Sequence, residues 1–208
     1  MLLLGSVLLP LFLAKVAHIA NISFLLMVAG LGTAMLGIFY ANRWVRKPRP
    51  EELLDKALKG LADSYHLYHY PALPTDHVLL TPNGVVILET IGLAGNFSYK
   101  DGRWREAMTI GRALRSIVEE HVGDPIKSAL RSDAVLRERL GEVVEGTVPI
   151  KSVVVFVHPN VELEVEAPSI PVVRAEKLKK QMMVDSPKLD EGVYGRVNEY
   201  LQRLTVRK

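Results

Sequence analysis

The sequence predicts an α/β protein: a three-layer α/β/α domain on a mixed sheet, preceded by a transmembrane helical hairpin. Residues 75–91, TDHVLLTPNGVVILETI, hold two apolar, β-branched runs around Pro82-Asn83-Gly84. That is a hairpin pattern, because Asn-Gly supplies the positive φ of a tight turn. Residues 151–158, KSVVVFVH, form a near-continuous apolar run, which marks a strand buried on both faces. Stretches of helical periodicity lie before, between and after these strands, as helices packed on both sides of a sheet require.

The N-terminal part is apolar. Residues 22–41, ISFLLMVAGLGTAMLGIFYA, carry no charge, and twenty such residues cross a hydrocarbon core of about 30 Å. Residues 1–14 are also apolar but short, and Lys15 and His18 follow. No basic residue precedes this first run and no small-residue cleavage site follows it, so a signal peptide is disfavoured. The expectation is two spans over 1–41 with the turn at 15–21. The alternative is one span from about residue 20, with the first segment at the interface. Arg43, Arg46, Lys47 and Arg49 follow immediately and define a basic linker over 42–50. Their excess over the single Lys15 places the soluble part in the cytoplasm, at the inner cell membrane. Tyr40 and Trp44 suit the headgroup belt, and the basic cluster suits anionic lipid. Ala29, Thr33, Gly37 and Ala41 form a small-residue stripe on which another membrane helix could pack.

Pro48 and Pro50 end the anchor, and the soluble domain occupies 51–208. An amphipathic helix is expected from Glu51 to about Tyr65, with Leu53, Leu54, Ala57, Leu58 and Leu61 on one face and Gly60 as a weak point. Residues 65–70 read as a strand or a helix end. Strands follow at 77–80 and 85–90. Residues 96–104, NFSYKDGRW, form a second hairpin turning at Asp101-Gly102, with 105–110 extending the sheet. Asp124 caps a helix that opens with Pro125 and runs to about Leu140, with Ile126, Leu130, Ala134 and Leu136 inward. After the apolar strand at 151–158 come a short strand at 171–173 and helices at 175–183 and 190–204.

All 23 acids lie from Glu51 onward, whereas five of the 26 Lys and Arg residues precede it. Residues 51–208 therefore hold 21 basic and 23 acidic side chains, a net of −2. A near-neutral domain lacks a broad footprint for a phosphate backbone, which argues against nucleic acid as a partner. With no cysteine, thiolate chemistry and zinc–thiolate sites are excluded. Ser98, Ser116, Ser128 and Ser132 have no nucleophile-elbow context. The 92–95 glycines lack a strand–GxGxxG–helix frame. His66 and His69 have no acid at metal-ligand spacing and read as half-buried residues beside Tyr65, Tyr68 and Tyr70. Glu162, Glu164 and Glu166 alternate along an edge strand or loop with a solvated acidic face.

Asp76 and Glu89 stand at the outer ends of the two hairpin strands, and two carboxylates so placed can converge on one divalent cation. Pro50-Glu51-Glu52, Asp76-His77-Val78, Pro82-Asn83-Gly84, residues 85–90, Gly92, Gly95, Gly102, Trp104 and Asp124-Pro125 together resemble the NERD (nuclease-related) domain of the PD-(D/E)xK endonuclease-like superfamily. The resemblance covers 51 to about 173 and implies a restriction-endonuclease-like fold. It also implies that Asp76 and Glu89 are Mg²⁺ ligands, with Glu51 or Glu52 as an outer partner. The superfamily's lysine, which activates water and stabilises phosphate charge, belongs two residues after Glu89. Ile91 stands there. Near Ser128 the family tends to have a glutamine. Lys127, or Lys100 on the next hairpin, could supply a relocated ammonium. Ile91, the net charge of −2 and the membrane hairpin with its small-residue stripe lead to the expectation of a degenerate site without catalysis or a required cofactor, Mg²⁺ remaining a possible ligand, and of an accessory or scaffold role with the bilayer and other membrane proteins as partners. The alternative is a Mg²⁺-dependent nuclease using Asp76, Glu89 and Lys127.

Overall fold

The structure, a computed structural model, describes residues 15, 20–38, 40, 49–107 and 122–206. Contacts divide the chain into two compact units, Met1–Lys47 with Leu114–Glu120, and Pro48–Ala113 with His121–Lys208.

In the first unit, α1 (Ala20–Ile38) is long and apolar enough to cross a membrane by length and composition. Its apolar side chains, Leu25, Leu26, Met27 and Leu31 among them, are exposed, and Thr33 returns a hydrogen bond to the Ala29 carbonyl at 2.8 Å. The expected first span at 1–14 lies outside the described residues, so the hairpin is not decided. So do Ala41, Trp44 and the basic residues Arg43, Arg46 and Lys47.

The second unit begins with α2 (Pro50–Leu58). Proline at its first position and Glu51 and Glu52 in its first turn favour a helix start. The helix ends seven residues short of Tyr65, because Gly60 takes a φ of +85°, which closes helices readily. Strands β1 (His66–His69), β2 (His77–Thr81) and β3 (Gly84–Ile91) follow. Next are β4 (Gly95–Lys100) and β5 (Arg103–Glu106). Helix α3 (Pro125–Gly141) precedes β6 (Ile150–Phe156), β7 (Val161–Val165) and β8 (Val172–Arg174). A 3₁₀ turn (Ala175–Lys177) enters α4 (Leu178–Gln181), and α5 (Glu191–Val206) closes the chain.

The main sheet has the order β1-β2-β3-β6-β8 and is mixed. β1, β2 and β3 run antiparallel, whereas β3–β6 and β6–β8 are parallel. Helices cover both faces. On one, Leu54 and Leu58 of α2 and Leu178 of α4 pack on Leu79, Val86, Leu88, Val153 and Val155. On the other, Leu136 and Leu140 of α3 and Val197 and Leu201 of α5 pack on Val78, Leu80, Val85 and Ile87. β6 lies between parallel neighbours, as its apolar run requires.

Three expectations change. The second hairpin does not extend the main sheet. β4 and β5 form a separate three-stranded sheet with β7, in the order β5-β4-β7, and Phe97, Val161 and Phe156 join it to the core. The inward face of α3 is Ile126, Ala129, Ser132, Leu136 and Leu140, while Leu130 and Ala134 are exposed. The buried stripe steps through a small alanine and serine that let the helix approach the sheet, so the bulkier Leu130 is turned out. Finally, the β2–β3 turn is Pro82-Asn83, with Thr81 paired to Gly84. The positive φ belongs to Gly84 (+149°), and a Cβ there would lie 2.4 Å from the Pro149 carbonyl oxygen. The Thr81 hydroxyl ties the turn, donating to the Gly84 carbonyl at 2.9 Å and accepting from Asn83 N at 3.2 Å.

Candidate metal centre

The register His77↔Leu88 sets where the two acids lie. One step further along the pair, Asp76, exposed just before β2, stands across from Glu89, half-buried in β3. Both belong to the α3 face, in phase with Val78 and Ile87. Burial is the main force raising the Glu89 pKa, a Ser128 hydrogen bond from α3 works to lower it, and the Asp76 charge raises it. A carboxylate whose ionisation is opposed by a neighbouring acid is the arrangement a hard divalent cation relieves. Among the described residues, no group of three or more His, Asp or Glu side chains is placed to hold a metal ion.

Ile91 continues the Glu89 face of β3 two residues on. It sits opposite Phe156 in the parallel register and packs against the cluster of Phe97, Ile126, Ala129, Val154, Phe156 and Val161. An apolar contact thus occupies the place where the resemblance expects an ammonium. The two candidate replacements are engaged with other acids. Lys127 Nζ lies 2.9 Å from Asp124 Oδ2, at the N-cap whose carboxylate also accepts from Lys127 N at 3.2 Å. Lys100 Nζ lies 3.0 Å from Glu164 and 2.9 Å from Glu166. The Glu162–Glu166 strand is therefore an edge whose acidic face is partly neutralised.

Of the two outer candidates, Glu52 is spent locally, accepting from Arg49 N at 3.4 Å in a capping box. Glu51 accepts from the Tyr70 hydroxyl at 2.9 Å. Burial opposes its ionisation, but its own backbone amide, Tyr70 and the Arg49 charge outweigh that and hold its carboxyl below the ordinary value. The Tyr70 hydroxyl is pushed up to about 12, first by burial and then by Glu51. The start of α2 lies against the end of β3, since a Cβ on Gly92 would meet Pro50 Cγ at 3.2 Å.

A family model described as "Nuclease-related domain" (NERD) matches residues 49–157. The chain belongs to the NERD family. Comparison with curated proteins gives no match, and neither does comparison with solved structures. The matched span takes in α2, β1 to β6 and α3, and so Asp76, Glu89 and Ile91. It ends short of Val173 and leaves β7, β8, α4 and α5 outside.

The NERD scaffold here also holds a side-chain group that sequence reasoning missed. His77 is 1% exposed, and its Nδ1 lies 2.9 Å from Nδ1 of His69. His69 in turn donates from Nε2 to Asp55 Oδ1 at 3.0 Å. Burial first, then the His69 charge, lower the His77 pKa to about 4. The β1–β2 register, which pairs His69 with His77, brings these rings together. The sequence offered only the isolated YHLYHY and DHV strings, and the acid was on another element.

Proposed function

We propose that this is a membrane-tethered NERD domain with a degenerate nuclease site, acting by binding as an accessory or scaffold subunit at the cytoplasmic membrane face. One observation carries the reading. Ile91, packed into the apolar cluster under α3, replaces the group that would meet a reacting phosphodiester. Without a cation there, two acids can position a metal but nothing local offsets charge building on the phosphate. Lys100 and Lys127, each paired with other acids, support the same reading. The apolar α1 and the basic linker support the tether.

The decisive assay is incubation of the detergent-purified full chain with DNA and RNA in Mg²⁺ or Mn²⁺. Background cleavage that Glu89→Ala leaves unchanged is the expected result. Metal-dependent cleavage lost in both Asp76→Ala and Glu89→Ala would refute the binding role.

A second reading is a Mg²⁺-dependent nuclease, favoured by the retained Asp76–Glu89 proximity that helps raise the Glu89 pKa. It requires Lys127 to leave Asp124 and approach the acids. Cleavage abolished by Lys127→Ala, with the fold intact, would select it.

A further inference from the structure

Residues 51–208 carry a net charge of −2, yet residues 174–188, RAEKLKKQMMVDSPK, hold five basic side chains against two acids. Leu178 and Met182 are buried in the core under α2, which turns Lys177, Lys179, Lys180 and Met183 outward. Lys179 reaches α2 and donates to the Lys59 carbonyl, so the exposed Lys56 and Lys59 adjoin the same surface. Lys151 at the start of β6 donates to the Met183 carbonyl at 2.8 Å. Glu176 is taken by Arg174 at 3.1 Å. Lys177, Lys179 and Lys180 form no ion pair among the described residues.

Met183, whose carbonyl Lys151 holds, is itself 68% exposed. Apart from α1 and Tyr40 just beyond it, the only other large exposed apolar side chain among the described residues is Leu130, at 45%. An exposed methionine on the same short segment as three exposed lysines suits an interface with both charge and an apolar layer just beneath. Nucleic acid would use the lysines and leave the methionine without a partner. An anionic bilayer uses both, with phosphate groups for the lysines and the headgroup–acyl boundary for the thioether.

We propose that this face, Lys56, Lys59, Lys151, Lys177, Lys179, Lys180 and Met183, docks the NERD domain on anionic headgroups of the bilayer that holds α1. The inference rests on the membrane-anchor reading above. Eleven residues separate Ile38 from Pro50, a span of at most about 40 Å. So short a tether keeps the domain at high local concentration over the surface, and contacts too weak for a free protein suffice.

The test reconstitutes the full chain in nanodiscs of phosphatidylcholine alone or mixed with phosphatidylglycerol. Amide hydrogen exchange is then followed over 174–188. Slower exchange is expected only in the mixed discs, and it should be lost at high salt. The triple variant Lys177→Glu, Lys179→Glu, Lys180→Glu should weaken docking on the order of a hundredfold, at roughly fivefold per lysine. Lys→Gln at the same positions gives a smaller loss, and Met183→Asp weakens protection without changing its salt dependence. All these side chains are exposed, so a circular dichroism melt close to wild type accompanies each variant. Equal exchange in both lipids, with the chain retained in the discs, overturns the inference while leaving the anchor intact. Protection of the same amides by duplex DNA in neutral discs, with none from phosphatidylglycerol, also overturns it. A chain that fails to remain with any disc refutes the anchor reading, and this inference with it.

Discussion

Glu89 stands across from Asp76 where the β2–β3 pair opens, with burial and then the Asp76 charge opposing its ionisation against a restraining Ser128 hydrogen bond. A carboxyl raised above its ordinary 4.5 favours the protonated form in the fold. Its ionisation therefore costs stability above the folded pKa, and the cost disappears as pH falls below 4.5. Glu89→Gln, which keeps an acceptor for Ser128, should raise the melting temperature at pH 7. The gain should vanish near pH 4. A variant no more stable than wild type at pH 7 would mean that Glu89 is not strained by its surroundings.

His77 has the opposite sign. Its pKa falls from 6.5 to about 4 on folding, so the neutral ring is favoured. The associated stability is complete above pH 6.5 and is lost as pH drops toward 4. The loss is on the order of 3 kcal/mol if the ring is neutral throughout. Denaturant melts of wild type between pH 7 and 4 should show this slope. His77→Phe should flatten it, because no proton is then taken up on unfolding.

Gly84 has a φ of +149° and no room for a methyl group beside the Pro149 carbonyl. Gly84→Ala should destabilise the fold by about 2 kcal/mol or more, read as a lower denaturation midpoint with an unchanged m-value. An alanine variant as stable as wild type would exclude the close approach of β3 to the loop before β6.

Asp124 caps α3 and holds Lys127. Asp124→Ala should cost about 1 kcal/mol of stability through the lost cap and release the Lys127 side chain. Under the binding reading it should produce no metal-dependent cleavage of DNA. Cleavage appearing in this variant, and lost again on adding Lys127→Ala, would favour the nuclease reading.

Much of the architecture was legible. Val153, Val154 and Val155 announce a central strand without a structure, because a strand covered on both faces has no polar side to alternate with. Asp124-Pro125 announces a helix start through the satisfied first-turn amide. The Asn83-Gly84 pair announced the hairpin, though not its turn. The glycine is there for the Pro149 carbonyl, a neighbour 65 residues away in the chain. The α3 stripe was misphased for a similar reason. Hydrophobicity selects Leu130, whereas the distance from helix to sheet selects Ala129 and Ser132.

By itself, the sequence determined the NERD scaffold, the apolar helix and an isoleucine, Ile91, two residues after Glu89, because each is written in contiguous residues or at fixed strand spacing. Only the tertiary structure decided that Lys127 and Lys100 are held by other acids, that His69 and His77 meet Asp55, and that Lys151 reaches Met183 while Lys179 reaches the end of α2. These depend on strand register and helix docking, which bring together side chains separated by tens of residues, and no local pattern encodes such distances.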